Sequence, residues 1–243
     1  MRAARFFLDE PLATGTTIAL PERVAHHALR VLRLRNGDLI VLFNGTGGEF
    51  AAQLSVNGSH AHATIDTFSS VERETSLRVK LIQSWVAADK LDWIIEKSVE
   101  LGVDSISLAP AQRSVVRIEG ERLDKRLGRL RELIVAACAQ CGRNRIPRIE
   151  ARPTLGASLE AGLGGGLRGA LLHPSGELSL MAAASKGGTV LAVEPEGGFD
   201  DAELALAGRL GYAACHLGPR VLRAETAAPA ALAALQAVAG DFR

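Results

Sequence analysis

From about residue 77 onward, short apolar segments alternate with segments whose apolar residues recur at helical spacing, and this alternation leaves few folds open to the chain. Leu77 to Trp85 predicts a strand without acidic residues. Asp89 to Leu101 predicts a helix with Leu91, Ile94, Ile95, Ser98 and Leu101 on one face and Gly102 closing it. Ser105 to Pro110 predicts the next strand, and Glu121 to Cys138 a helix that buries Leu123, Leu127, Leu130, Ile134 and Ala137. Leu167 to His173 and Thr189 to Val193 read as buried strands. Asp200 and Glu203 form a capping box ahead of a short helix ending at Gly211. Ala213 to Leu217 is a further strand, and Ala227 to Ala239 a last helix with Pro229 in its first turn. Strands alternating with helices imply an α/β domain whose mostly parallel sheet is covered on both faces.

The first seventy residues differ. Arg2 to Leu8, Asp38 to Phe43, Glu49 to Val56 and Ala61 to Phe68 read as strands separated by Gly and Asn, with one helix from Pro21 to about Leu34. Such a module is compatible with a small barrel. The polar stretch Ser69 to Glu74 places the boundary, giving domains at 1–72 and 73–243. Within the helix Glu22 to Arg33, Val24, Ala28, Val31 and Leu32 share one side and face a core. Arg23, His26, His27, Arg30 and Arg33 share the other, a row of donors suited to phosphates. Adjacent His26 and His27 point about 100° apart on a helix, and no third ligand accompanies them, so no metal site is expected.

The formal charge of +1 excludes a uniformly basic protein, but the distribution is uneven. Residues 113–152 carry eleven Arg or Lys against five acids, a local field that attracts phosphates, although a solvated helix face has the same composition. No apolar run approaches bilayer length, and the N-terminal apolar stretch ends at Asp9, too soon for a signal peptide, so the cytoplasm is the expected compartment. Three cysteines cannot make a disulfide framework.

Two motifs match patterns out of context. Cys138 and Cys141 form C-x-x-C at the end of a helix, whereas a reactive pair sits at a helix N-terminus; packing is the better reading. Gly164 to Gly169 fits G-x-G-x-x-G, but a helix-like stretch precedes it and a strand follows, the reverse of a dinucleotide site.

The chemistry concentrates in two segments, each directly after a buried strand: Val193-Glu194-Pro195-Glu196-Gly197-Gly198-Phe199 and Leu217-Gly218-Pro219-Arg220-Val221-Leu222-Arg223-Ala224-Glu225-Thr226-Ala227. Open α/β sheets bind ligands at the carboxyl ends of their strands, and paired glycines admit a ligand close to the backbone. These segments resemble the signature of the SPOUT methyltransferases, and more narrowly the RsmE family, which methylates N3 of a uridine in 16S ribosomal RNA. That family shows I-G-P-E-G-G and L-G-x-R-I-L-R-x-E-T-A at the two positions. Lys90, Lys97, Glu100, Leu101 and Gly102 fit its K…K-x-x-E-L-G helix, and Arg113-Ser114 its R-S turn. Ala136 to Arg143 with Pro147 fit its A-x-x-Q-x-G-R…P segment. His27, Val31, Leu32, Arg33, Gly37 and Asp38 fit its H-x-x-x-V-L-R…G-D pattern. One departure is Glu194, where the family has Gly.

The resemblance implies a C-terminal SPOUT-type sheet with a trefoil knot and an N-terminal PUA-like β-barrel. It implies S-adenosylmethionine as cofactor, 16S ribosomal RNA or the small ribosomal subunit as substrate, uracil 1498 as target, and a homodimer. His173, Val193, Pro195, Glu196, Gly197, Gly198, Leu217, Gly218, Val221, Leu222, Thr226 and Ala227 are then expected around the cofactor. Arg223 is expected to stabilise the uridine anion or grip a phosphate, and Glu225 or Glu196 to act as base, with orienting an arginine or capping the following helix as the other roles open to either. Arg23, His27, Arg30, Arg33, Arg113 and Arg143 are expected to hold RNA. Two other readings stand beside this one. They are a knotted methyltransferase acting on another RNA site or a ribose 2′-hydroxyl, and an RNA-binding assembly factor without activity.

Overall fold

The structure is a computed structural model that describes residues 3–242. The chain divides into two compact units, residues 1–74 with 138–146, and residues 75–137 with 147–243.

In the first unit, strands β1 (Ala4–Phe7), β2 (Thr17–Ala19), β3 (Leu39–Phe43), β4 (Glu49–Asn57) and β5 (His60–Ser69) form one sheet in the order β1-β3-β4-β5-β2. β1 pairs with β3 in parallel, and the other pairings are antiparallel. Alternation in β4 sends Phe50, Ala52 and Leu54 inward, where they meet Phe6, Leu8, Ile40, Leu42 and Ile65. The expected strand at Arg2 to Leu8 is seen as Ala4–Phe7; Arg2 itself lies outside the described residues. Helix α1 (Glu22–His26) does not continue as α-helix to Arg33. It runs into a π-helical turn, His27–Val31, with the Leu32 amide donating to the His27 carbonyl at 3.0 Å. The wider turn changes which residues face inward. Ala25 and Ala28 are buried, while Val31 and Leu32, expected in the core, are 61% and 43% exposed. Arg33 follows at φ 56°, the sole non-glycine residue with positive φ among those described.

The second unit is a seven-stranded, wholly parallel sheet in the order β10-β12-β9-β11-β6-β7-β8. Its strands are β6 (Val79–Ser84), β7 (Ser105–Ala109), β8 (Arg148–Ala151), β9 (Arg168–Leu172), β10 (Leu178–Ser179), β11 (Thr189–Val193) and β12 (Tyr212–His216). Every residue of central β11 is buried, as a strand covered on both faces requires. The helices are α2 (Ala88–Glu100), α3 (Gly120–Cys141), α4 (Leu155–Gly162), α5 (Leu180–Ala183), α6 (Asp201–Arg209) and α7 (Ala224–Ala239). Leu155 and Leu159 of α4 and Ala207 of α6 join Ile82, Val190, Ala192, Phe199 and Tyr212 in one core cluster. Each large aliphatic side chain buried in this way contributes about 1.5–3 kcal/mol. The Tyr212 hydroxyl, inside this cluster, donates to the Leu159 carbonyl at 2.8 Å. The α6 capping box is present: Asp200 Oδ1 accepts from the Glu203 amide at 2.8 Å, and Glu203 Oε2 accepts from the Asp200 amide at 2.9 Å.

α7 begins three residues before the expected Ala227, so Glu225 lies in its first turn rather than in a preceding loop. β8, α4, β10 and α5 lack a strong periodic signal; three of them have four residues or fewer.

Candidate functional site

Three neighbouring strands, β12, β9 and β11, end at the same edge of the sheet, where they and the segments that follow form a cleft of about 400 Å³, counting the space open to solvent. Its walls are Leu172, His173 and Pro174 at the end of β9, Val193 and Glu194 at the end of β11, and Cys215 to Gly218 with Arg220, Val221 and Leu222 at the end of β12 and beyond it. Ala227 of α7 completes them. The lining is largely apolar with a few polar groups, as small-molecule sites are.

Local geometry explains the turns. Gly218 sits at φ +90°, a conformation that side chains resist, and its amide donates to His216 Nδ1 at 3.0 Å. His173 Nδ1 pairs with the Ser175 hydroxyl at 2.9 Å, and the His173 amide donates to the Cys215 carbonyl at 2.9 Å, closing β9 onto β12. At the other turn Gly197 is held against Arg113: a Cβ on Gly197 would lie 2.8 Å from both the Cβ and the carbonyl oxygen of Arg113. Arg113 Nη1 reaches the Phe199 carbonyl at 3.4 Å, so the loop after β7 braces the loop after β11.

Of the residues expected around a cofactor, His173, Val193, Leu217, Gly218, Val221, Leu222 and Ala227 line the cleft. Pro195, Glu196, Gly197, Gly198 and Thr226 stand outside its walls; the first four form the turn behind Glu194. Leu172, Glu194, Cys215, His216 and Arg220 also line it. Leu172, Cys215 and His216 could have been expected from their positions at strand carboxyl ends. Glu194 is half-buried, and its Oε2 accepts from the Phe199 amide at 3.4 Å. Burial pushes its carboxyl above the ordinary range, against smaller opposing effects from the Phe199 amide, His173 and Arg113.

Beside the cleft, Lys90 of α2 reaches two carboxylates. Its Nζ is 3.2 Å from Glu196 Oε1 and 3.6 Å from Glu225 Oε2. The Ala87 amide also donates to Glu196 Oε1, at 3.4 Å. Burial alone would raise the Glu196 carboxyl, but hydrogen bonds from its own backbone amide, from Lys90 and from Ala87 outweigh it and hold it below the usual range. The hydrogen bond to Glu196 is the main influence raising the Lys90 ammonium. Glu225 Oε2 is buried and accepts no hydrogen bond among the described residues. Arg223, at the N-cap of α7, is exposed and forms no ion pair among them.

The expected RNA contacts separate into two groups. Arg23, His27, Arg30, Arg33 and Arg113 are exposed, and the edge of the His27 ring packs on Phe6. Arg143 is a correction. It is 5% exposed and its guanidinium grips Glu74 Oε2 at 2.6 Å, so it holds the first unit together and offers nothing to a phosphate. With Arg143, six of the eleven basic residues of the run 113–152 are paired. Lys125 meets Glu121, Arg126 and Arg129 meet Asp92, Arg145 meets Glu72, and Arg152 meets Glu150. Cys138 is buried with its thiol pushed up to about 12 by desolvation, which leaves it protonated and unreactive. Among the described residues no three His, Cys, Asp or Glu side chains gather as metal ligands, and no helix is long and apolar enough to cross a membrane.

A parallel sheet with a ligand cleft at its strand ends and a separate small β unit is the architecture of an RNA methyltransferase. The family model for an RNA methyltransferase domain matches residues 73–236, and that for an RNA methyltransferase PUA domain matches residues 20–66. The chain belongs to this RNA methyltransferase family, and several relatives that match nearly its whole length share a name. Ribosomal RNA small subunit methyltransferase E of Mycobacterium tuberculosis is 30% identical over 97% of this chain and 92% of its own. The protein of the same name from Bacillus subtilis is 28% identical over 95% of each. The crystal structure of ribosomal RNA small subunit methyltransferase E from Neisseria gonorrhoeae, bound to S-adenosyl methionine, superposes with a TM-score of 0.90 at 35% identity over 100% of both chains. A Legionella pneumophila protein solved with bound SAM superposes with a TM-score of 0.93 at 32% identity, also over 100% of both.

Proposed function

We propose that the chain transfers a methyl group from S-adenosylmethionine to N3 of a uridine, uracil 1498 by family, in the 16S ribosomal RNA of the small subunit. The observation that carries the reading is the cleft at the ends of β9, β11 and β12, together with full-length similarity to proteins of that name. The residues fit the cofactor. The apolar walls, Leu172, Val193, Leu217, Val221 and Leu222, suit an adenosyl group. The half-buried Glu194 carboxylate suits a cationic ligand, since opposite charge offsets its desolvation. When bound, the cofactor supplies an electrophilic methyl group.

The chain's own residues must make N3 nucleophilic by removing its proton and stabilising the anion left on N3, O2 and O4. Of the two candidate bases, Glu196 is engaged by Lys90 and the Ala87 amide, and its lowered basicity makes it a poor proton acceptor. Glu225 is held less tightly: among the described residues its Oε2 accepts no hydrogen bond and Lys90 approaches it only to 3.6 Å, which makes it the better base. Arg223, without an ion pair among the described residues and permanently charged, presents a planar fork to the developing oxyanion. The exposed Arg23, His27, Arg30 and Arg33 of the first unit hold the RNA backbone, with affinity that falls as salt rises.

A knot formed by the chain after β11 accords with its path, since β11 and β12 lie on opposite sides of β9. A homodimer accords with the exposed Trp93, Val238 and Phe242 on and beside α2 and α7, apolar surface that a second copy would cover. The cytoplasm, where ribosomal RNA is modified, is the compartment this reading requires.

The reaction is tested by incubating small subunits from cells lacking the protein with labelled S-adenosylmethionine, then identifying nucleosides by mass spectrometry. The expected product is 3-methyluridine. A ribose-methylated nucleoside would establish the alternative acceptor, and absence of label would leave an assembly factor.

A further inference from the structure

The same sheet edge carries a second hollow, away from the cofactor cleft, at the ends of β6, β7 and β8. It encloses about 940 Å³, counting the space open to solvent, and is lined by Trp85, Pro110, Arg117, Leu123, Arg152 and Pro153. The floor is apolar, with the Trp85 indole buried beneath it at 3% exposure, and two guanidiniums are among the lining. Arg117 is exposed and makes no ion pair among the described residues, whereas Arg152 is tied through Nε alone to Glu150 at 2.7 Å. Glu119, also on the wall, offers an acceptor where the arginines offer only donors. An apolar floor, cations for a phosphate and an acceptor for a base N–H are together the complement of a nucleotide.

The loop that forms one wall also touches the turn behind the cofactor cleft. The Gln112 amide donates to Glu203 Oε1 at 2.9 Å, and Arg113 packs on Gly197. A strand whose reacting base lies at the cleft therefore meets this hollow next along the edge. We infer that the hollow between Trp85, Arg117 and Arg152 is a subsite for a nucleotide of the substrate RNA that flanks the methylated base. This rests on the reaction proposed above, and it assigns a role to a cavity that the transfer of the methyl group does not itself use.

The chain has two tryptophans, so Trp93→Phe leaves Trp85 as the sole indole reporter in the hollow. With the protein saturated in S-adenosylmethionine, titration with uridine 5′-monophosphate should change Trp85 fluorescence saturably. Arg117→Ala with Arg152→Ala should weaken that binding about tenfold. In methylation of small subunits, the same double variant should raise the KM for RNA about tenfold with kcat unchanged. It should also lower the slope of log KM against log salt by about one to two, one for each lost phosphate contact. Trp85 signals unmoved by the nucleotide, or a variant with unchanged KM and salt slope, would overturn the subsite. If Trp85 responds while the unmodified protein methylates no small-subunit RNA, the hollow is still a nucleotide site, but the reaction assignment and the link to a methylated base both fall.

Discussion

Lys90 Nζ lies 3.2 Å from Glu196 Oε1, and this contact joins the start of α2 to the turn after β11. It removes Glu196 from the pool of available bases and holds the turn behind the cofactor cleft. Lys90→Met should return the Glu196 carboxyl upward toward its ordinary value, because its principal cationic partner is gone. Carbon-detected titration of the Glu side chains reads this shift directly. Cofactor affinity should change less than turnover, since neither residue lines the cleft; an equal loss of both would assign Lys90 to the cofactor site.

Arg223→Ala should lose about 3 kcal/mol of transition-state stabilisation, roughly a hundredfold in rate at saturating RNA. The exposed side chain has no structural partner among the described residues, so the melting temperature should hold. Near-normal turnover would exclude Arg223 from the reaction.

Glu194 gives a dependence on pH with a definite sign. Its carboxyl is raised in the folded protein, so the native state binds the proton more tightly than the unfolded one. Stability then falls as pH rises from the unfolded value through the folded one, and the penalty persists above it. Glu194→Gln should therefore melt higher at neutral pH, with the difference closing in acid. Affinity for S-adenosylmethionine should move oppositely, weakening in the variant and, in the unaltered chain, weakening as pH falls and Glu194 protonates. Calorimetry across that range checks both limbs.

Two glycines provide a controlled pair. A Cβ on Gly197 meets the Arg113 backbone at 2.8 Å, whereas one on Gly208 of α6 meets nothing within 4 Å. Gly197→Ala should destabilise by about 1–3 kcal/mol and weaken cofactor binding. Gly208→Ala should stabilise by about 0.5–1 kcal/mol, as a helical glycine replaced by alanine does. Thermal melts of the two variants should shift in opposite directions.

Arg143→Ala should cost about 3 kcal/mol, because it leaves the Glu74 carboxylate without its buried partner. A melting temperature unchanged by this substitution, with RNA binding reduced, would restore Arg143 to the RNA surface.

The parallel sheet was legible because β6, β7, β9, β11 and β12 are apolar runs bounded by helices of clear period, and because Asp200 and Glu203 mark a cap by spacing alone. The turns after β11 and β12 were legible from their glycines and from family resemblance. Other features depend on partners distant in sequence. Nothing around Arg143 reveals that Glu74 will neutralise it, and nothing around Lys90 reveals that Glu196 and Glu225 will converge on it. Val31 and Leu32 misled because a helical projection assumes α geometry, and the π-turn at His27–Val31 breaks that assumption.

The central claim is that the cleft ending β9, β11 and β12 presents an activated methyl group beside Glu225 and Arg223. A crystal structure with S-adenosylmethionine tests it most directly. The adenosyl group should lie against Leu217, Val221 and Leu222, with the methyl directed toward the start of α7; a cofactor bound elsewhere, or a methyl buried away from α7, would rule this arrangement out.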